Sequence, residues 1–153
     1  MNPDFKLLPE AVSIIGADSK DAILAALADR FAAAYDVDPV AVLESLEERE
    51  KLGSTGFGRG IAIPHARLDG IKRPLAVFFR LEAPVDFGAA DGLPVELVFG
   101  LLSPTNAGAT HLHSLAAISR LARDEFMHES LLAAKDSAAL YALLANTTAS
   151  AGA

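Results

Sequence analysis

Apolar residues recur at helical spacing in two stretches near the start of the chain. In the first stretch, residues 23–31 place apolar side chains on one helical face, which predicts a helix that runs to about Tyr35. The second stretch begins at Asp38-Pro39, where a capping side chain precedes a proline that suits the first helical turn. This helix should end near Leu52, because Gly53 follows it. The first third of the chain is therefore predicted to hold two amphipathic helices.

Four short apolar runs have the length and composition of buried strands. They cover residues 11–15, 61–63, 75–81 and 95–102. Runs that are apolar throughout, rather than at alternate positions, are typical of strands that are covered on both faces. Because helical stretches precede and follow these strands, the pattern predicts an α/β domain with a mixed β-sheet and helices on both faces.

Three more helices are predicted in the last third of the chain. Thr110 is expected to cap the first of them, in which His111 lies on one helical line with positions 115, 118 and 122. Residues 124–134 and 137–144 form two further amphipathic helices. The small residues of 146–153 predict a disordered tail.

Composition limits both the fold and the class of function. At 153 residues the chain has the length of one ordinary domain with a buried core. Its net charge of −7 argues against nucleic acid as a partner, since such binding depends on neutralising phosphates. The core is expected to include most of the phenylalanines: Phe5, Phe31, Phe78, Phe79, Phe87, Phe99 and Phe126.

The sequence also limits the environment of the protein. The chain has no cysteine, which excludes disulfides, thiolate metal sites and thiol nucleophiles. No apolar run approaches the roughly 18 residues of a membrane helix, and the amino terminus has no signal-peptide pattern. We therefore expect a soluble cytoplasmic domain that does not span a membrane.

Residues 49–65 have the composition of a functional site. Four glycines fall within residues 53–60, and glycine lets backbone N–H groups approach a bound anion without interference from a Cβ atom. The short apolar run that follows ends at Pro64, which sets the direction in which His65 leaves the strand. A titratable ring held rigidly beside backbone donors indicates a binding or catalytic site.

The glycine pattern matches neither of two common phosphate-binding motifs. Ile61 stands where a P-loop needs a lysine, and it also stands where a dinucleotide fingerprint needs its third glycine or alanine. What is left is a glycine loop with two hydroxyls, one histidine and the flanking cations Arg49, Lys51 and Arg59. These groups suit a phosphoryl group carried on a neutral imidazole, for which a protein supplies mainly positioning and charge stabilisation.

This stretch resembles the signature of enzyme IIA of the bacterial phosphotransferase system, in its fructose/mannitol/nitrogen class. The resemblance covers roughly residues 5–145, as a type 2 enzyme IIA domain, and implies a single three-layer fold with the mixed sheet in the middle. Within the class, a free-standing domain with this layout is most similar to the nitrogen-type, regulatory enzyme IIA. The matching segments are Arg49-Glu50, Gly53-Ser54-Thr55-Gly56, Gly60-Ile61-Ala62-Ile63-Pro64-His65, Asp91-Gly92-Leu93-Pro94-Val95 and His111-Leu112.

The resemblance also implies the chemistry. His65 would accept a phosphoryl group from a histidine phosphocarrier protein, and its phosphorylation state would control partner proteins in nitrogen or potassium regulation. His111 would stabilise the phosphate or orient the ring, whereas by position alone it is a packing or capping residue. Arg49 would stabilise the phosphate, whereas by position alone it is a cation at the carboxyl end of a helix. The loop groups expected to bind phosphate are Ser54, Thr55, Gly56, Gly58 and Gly60, and neither a metal nor a cofactor is expected.

Three other functions stay open. The domain would pass phosphate to a sugar-specific enzyme IIB if it served fructose or mannitol uptake, because sugar-type members share the motif. It would be an interaction module if His65 were purely structural. A histidine metal site is the third alternative, but His111 and His113 diverge on a helix and the chain has no His-Glu-x-x-His motif. The sequence predicts neither the oligomeric state nor the regulated target.

Overall fold

The computed structural model describes residues 4–152, and for residues 147–152 it describes the helical backbone alone. A 3-10 turn at Pro9–Ala11 leads into the first strand. The strands are β1 (Val12–Ile15), β2 (Gly56–Gly58), β3 (Ile61–Ala62), β4 (His65–Leu68), β5 (Leu75–Val85) and β6 (Val95–Pro104). The helices are α1 (Lys20–Tyr35), α2 (Pro39–Lys51), α3 (Ala109–Arg123), α4 (Glu125–Ala133) and α5 (Ser137–Gly152).

Both predicted helices in the first third of the chain are confirmed. The Ser19 hydroxyl accepts a hydrogen bond from the backbone N–H of Ala22 at 3.0 Å, which caps α1. Asp38 caps α2 in the same manner and precedes Pro39. No helix in the described part of the chain is both long and apolar enough to cross a membrane.

The six strands form one mixed sheet. Its order is β1-β5-β6-β3-β2, and β4 also pairs with β6. β1 runs parallel to β5, and β5 runs antiparallel to β6. Both β3 and β4 run parallel to β6. The two long apolar strands β5 and β6 therefore lie at the centre of the sheet, as their composition predicts.

Helices cover both faces of the sheet, which confirms the predicted fold class. Val77 and Phe79 of β5 join a core with α1 and α2, while Phe78 joins a second core with α3, α4 and α5. This alternation follows from the two-residue period of a strand. In the first core, a Cβ on Gly100 would lie 2.9 Å from the Leu27 side chain, so glycine is needed for α1 to pack this closely.

The prediction that Phe126 lies in the core is wrong, although the other six predicted phenylalanines are buried. The Phe126 side chain is 78% exposed on α4, because Met127 and Leu131 form the buried face of that short helix. An aromatic residue is usually buried, but the orientation of its helix decides whether it is.

The start of α3 also differs from the prediction. The helix follows Gly108, which has a φ of +56° and no side-chain cap, so the cap predicted at Thr110 is wrong. Thr110 lies within the first turn, where its carbonyl accepts a hydrogen bond from the Ser114 hydroxyl at 2.9 Å. At the other end of the chain, the backbone of α5 extends to Gly152, beyond the predicted helix end at residue 144. The side chains of residues 147–153 lie outside the described part, and the disorder predicted for residues 146–153 stays a prediction.

His65 lies in β4, which continues the line of β3 along the edge of β6 after an interruption at residues 63 and 64. β3 and β4 pair with β6 in a single register, because Ile61 lies opposite Leu97 and His65 lies opposite Leu101. Pro64 stands between them without an N–H donor, and its carbonyl accepts a hydrogen bond from the N–H of Leu101 at 3.0 Å. The expectation that the chain leaves the strand at His65 is wrong, because the strand resumes there.

Candidate functional site

His65 is the first residue of β4, and its side chain is half-buried. Its Nδ1 atom lies 2.8 Å from the carbonyl oxygen of Ile63. Because a carbonyl oxygen only accepts hydrogen bonds, Nδ1 carries the ring proton and donates it to Ile63. The other ring nitrogen, Nε2, keeps its lone pair. Pro64 fixes the backbone between these two residues, so the ring is held in a defined orientation.

Arg49 lies in the last turn of α2, and its side chain reaches the ring of His65. The Nε–H of Arg49 donates to Nε2 of His65 at 3.3 Å, and its Nη1 donates to the carbonyl of Gly53 at 3.0 Å. A guanidinium has donors only, so this contact also requires an unprotonated Nε2. Two separate partners therefore select the same tautomer of His65.

His111 brings a second imidazole to the site. It lies in the first turn of α3, is only 8% exposed, and has its ring centroid 5.8 Å from that of His65. Its Nδ1 atom lies 2.6 Å from the hydroxyl oxygen of Ser103, which is fully buried near the end of β6. Sequence analysis did not identify Ser103, although a hydroxyl that directly follows an apolar strand is an uncommon residue to bury completely.

His113, in contrast, is exposed on the same helix, so the predicted divergence of His111 and His113 is confirmed. Among the residues whose side chains are described, no three His, Asp or Glu side chains lie close enough together to hold a metal ion.

Burial favours the neutral form of both imidazoles of the site. It is the main influence that lowers the pKa of His65 below its usual value; the hydrogen bond to Ile63 opposes it and the charge of Arg49 adds to it. Burial likewise lowers the pKa of His111. The charge of Arg67 lowers it further, as does the neighbouring His65, because two protonated rings would repel each other. A neutral imidazole keeps a lone pair on one ring nitrogen at physiological pH.

A buried carboxylate follows Arg49 in α2. Glu50 forms an ion pair with Lys20 of α1 at 2.6 Å. It also accepts hydrogen bonds from the backbone N–H of Thr55 at 3.2 Å and from the Thr55 hydroxyl. These partners compensate the burial of the charge and connect both helices to the glycine-rich segment. The Thr55 hydroxyl, which was predicted to bind phosphate, is engaged here.

Ser54 and Gly56, also predicted to bind phosphate, pack against the segment that precedes β6. The Ser54 hydroxyl donates to the carbonyl of Phe87 at 2.8 Å and accepts from the N–H of Gly56 at 3.0 Å. A Cβ on Gly56 would lie 2.8 Å from the Cβ of Ala89, a separation that side chains do not adopt. Gly56 is therefore needed for this close approach.

Gly58 and Gly60 shape the connection between β2 and β3. Their φ angles of +100° and +81° lie in the left-handed region that glycine adopts readily. Between them, the N–H of Arg59 donates to the carboxylate of Asp91 at 2.8 Å. These contacts favour a structural role for the loop, and its binding of phosphate stays a prediction.

The structure thus brings together three of the predicted site residues, His65, Arg49 and His111. The Ser54 and Thr55 hydroxyls and the Arg59 N–H of the glycine loop contact other parts of the protein. Ser103 joins the site through its hydrogen bond to His111, and Glu50 anchors Thr55 of the neighbouring glycine loop; sequence analysis assigned neither of them a role.

Comparison with known proteins identifies the class to which this fold and site belong. The family model described as phosphoenolpyruvate-dependent sugar phosphotransferase system, EIIA 2, matches residues 7–147. The chain belongs to this family, as its motifs indicate.

Relatives within the family include regulatory and sugar-specific proteins. The nitrogen regulatory protein of Bradyrhizobium diazoefficiens is 44% identical over 138 residues, which is 90% of each chain. The crystal structure of nitrogen regulatory protein IIA-Ntr from Neisseria meningitidis has a TM-score of 0.81 at 35% identity, covering 90% of this chain and 95% of that one. The structure of IIA mannitol from Escherichia coli has a TM-score of 0.75 at 25% identity, covering 92% and 99%.

Proposed function

We propose that this protein is a phosphoryl carrier that accepts a phosphoryl group on His65 and acts in regulation of the nitrogen type. The supporting observation is the pair of contacts that fixes the tautomer and orientation of the His65 ring: Nδ1 donates to the carbonyl of Ile63, and the Nε2 lone pair faces the guanidinium of Arg49. A neutral imidazole with one nitrogen fixed and the other unprotonated is an activated nucleophile.

The donor in this proposal is a phosphohistidine on a histidine phosphocarrier protein. A new N–P bond forms at Nε2 of His65 while the P–N bond to the donor ring breaks, and the electron pair of the broken bond returns to the donor nitrogen. Arg49 then donates to a phosphoryl oxygen instead of to Nε2, and its fixed charge offsets the charge that develops in transfer. His111, whose ring centroid lies 5.8 Å from that of His65, contributes a second donor to the phosphoryl group.

The regulatory part of the proposal rests on the surface beside the site. Leu52 directly follows α2 and is 84% exposed, and Leu112 follows His111 and is 65% exposed. Phosphorylation would add about two negative charges to His65, which Arg49 and His111 approach from the same two helix ends that carry these leucines. Such a charge change is enough to alter which protein docks there. The identity and coverage of the nitrogen regulatory relatives support this branch, and a cytoplasmic location and a domain spanning residues 5–145 belong to the same proposal.

The test is to mix the purified protein with phosphoenolpyruvate, a bacterial enzyme I and a histidine phosphocarrier protein, and to record its intact mass. We expect one acid-labile phosphoryl group on the wild type and none on His65→Ala, which should keep its fold in thermal unfolding. The matched control is His113→Ala, which removes an exposed histidine and should be labelled fully. Equal labelling of His65→Ala and the wild type would refute the proposal.

Transfer onward to a sugar-specific enzyme IIB is the second candidate, and the structural similarity to IIA mannitol favours it. The same assay distinguishes the two functions. If the labelled protein loses its phosphoryl group rapidly when a fructose- or mannitol-specific enzyme IIB is added, it serves sugar uptake. If labelling fails with several donor pairs, the protein is an interaction module, and binding partners of the unmodified form become the object of study.

A further inference from the structure

Ser103 lies on the same face of the sheet as His65. In the pairing of β4 with β6, His65 lies opposite Leu101 and Arg67 lies opposite Ser103. Residues two apart in a strand point to the same face, so all four side chains share one face. Leu101 belongs to the core that includes α3, and His111 lies at the start of that helix. The hydroxyl of Ser103 therefore points from the sheet towards α3, where it contacts His111.

The direction of the hydrogen bond between Ser103 and His111 follows from the partners of the hydroxyl. Ser103 is fully buried, and within the described part of the chain its hydroxyl has Nδ1 of His111 as its hydrogen-bond partner. If the hydroxyl accepted a hydrogen bond from Nδ1–H, its own hydrogen would be buried without an acceptor, which is costly. The hydroxyl therefore donates, and Nδ1 is the unprotonated acceptor.

A neutral His111 with an unprotonated Nδ1 carries its proton on Nε2. Among the described side chains no buried nitrogen or oxygen lacks a partner, and Nε2 of His111 has no hydrogen bond there, so this atom is open to solvent. The ring centroids of His111 and His65 are 5.8 Å apart, a separation that a phosphoryl group on one ring can span. An exposed N–H at this place is a donor for a phosphoryl oxygen.

We propose that Ser103 is a positioning residue that holds His111 in the tautomer with its proton on Nε2, so that His111 donates to a phosphoryl group on His65. The step from tautomer to phosphoryl group rests on the proposed function. Arg49 and Ile63 select the complementary tautomer of His65, with its lone pair on Nε2. The site then holds the unprotonated Nε2 of His65, which forms the bond to phosphorus, and the Nε2–H of His111, which donates to a phosphoryl oxygen.

Nitrogen-15 NMR of the unphosphorylated protein, labelled at its histidines, tests the tautomer directly. We expect His111 to show a protonated Nε2 and an unprotonated, hydrogen-bonded Nδ1, and we expect the signature of that hydrogen bond to disappear in Ser103→Ala. Ser114→Ala is the matched control, because it removes a fully buried hydroxyl from α3 that bonds to the carbonyl of Thr110. A proton on Nδ1 of His111 in the wild type would overturn the inference.

Phosphorylation kinetics test the consequence. Both the rate of phosphorylation and the lifetime of the phosphohistidine are measured. In Ser103→Ala we expect at least one of the two to fall about fivefold, as one lost hydrogen bond implies. Ser103→Thr keeps the hydroxyl and should stay within about twofold of the wild type, as should Ser114→Ala. Equal effects of Ser103→Ala and Ser114→Ala, or a folded Ser103→Thr that behaves like Ser103→Ala, would contradict the positioning role.

The two experiments separate this inference from the proposed function. If the wild type is not phosphorylated by any donor, the proposed function fails, while the NMR spectrum still decides which nitrogen of His111 carries the proton. If phosphorylation occurs but the tautomer differs, the carrier function stands and the role of Ser103 is wrong. Thermal unfolding of each variant checks that the change is local.

Discussion

The His65 site and the glycine segment at residues 53–60 are neighbours in the sequence, yet they use their residues in different ways. At the site, side chains from α2, β4 and α3 converge. The Arg49 guanidinium and Nε2 of His65 bond to each other there, and the second imidazole, His111, lies beside them. In the glycine segment, the two hydroxyls and several N–H groups are paired with the protein itself, as in the bond from Ser54 to Phe87 and the bond from Arg59 to Asp91. The first region keeps polar groups available for a ligand, and the second uses them to fix the backbone.

This contrast shows that glycines near a candidate phosphate site need not bind the phosphate. Gly56 is required by the close approach of Ala89, and Gly58 and Gly60 are required by their positive φ angles. Both requirements are structural, and they act in β2 and in its connection to β3, the strand that pairs with β6. The strand that they support then presents His65. We therefore expect the glycine segment to act on the chemistry through the position of the ring, and its binding of phosphate stays a prediction.

Removal of the arginine should have the largest effect. We expect Arg49→Met to slow phosphorylation of His65 about 100-fold, because it removes a preorganised cationic donor from the transferring group. Lys51→Met is the matched control, since Lys51 is an exposed cation in the same helical turn. Initial rates from intact mass, measured at fixed donor concentration, check the prediction. Similar losses in both variants would mean that general positive charge, and not the contact with His65, is what matters.

Substitution in the glycine segment should act on stability first. We expect Gly56→Ala to lower the free energy of unfolding by about 2 kcal/mol, because the new Cβ overlaps both the backbone and the side chain of Ala89. Gly16→Ala is the control, since its Cβ would meet only the end of the flexible Glu82 side chain. Urea unfolding measures both variants. If Gly56→Ala were as stable as the wild type but were not phosphorylated, the structural role of the glycine segment would be wrong. The segment would then be a phosphate-binding loop.

The pH dependence should be the smallest of the three effects. The pKa values of His65 and His111 are lowered by burial in the folded protein, while the unfolded chain binds a proton on each near pH 6.5. As the pH falls below about 6.5, the unfolded state takes up protons that the folded state does not, so stability decreases until the folded pKa values are reached. NMR titration should give midpoints below 6.5 for both rings.

Arg49→Met gives a further test of the titration, because it removes a charge that lowers the pKa of His65. The midpoint of His65 should therefore rise in the variant, although burial continues to hold it down. An unchanged midpoint would show that the guanidinium does not act on the ring in solution.

The sequence by itself determined the layered α/β class, because its runs of apolar residues are long enough only for strands covered on both faces. It also predicted His65 as a site residue from its motif, and Arg49 and His111 through the family resemblance. It placed the first two helices correctly because local capping residues define their ends. These are features that a few neighbouring residues decide.

Only the tertiary structure decided how distant residues meet. Ser103 lies eight positions before His111, and its role depends on the packing of α3 against β6. The exposure of Phe126 depends on the rotation of α4, and the continuation of the strand past Pro64 depends on pairing with β6. Such contacts are set by the summed packing of the whole domain, which no local pattern of residues specifies.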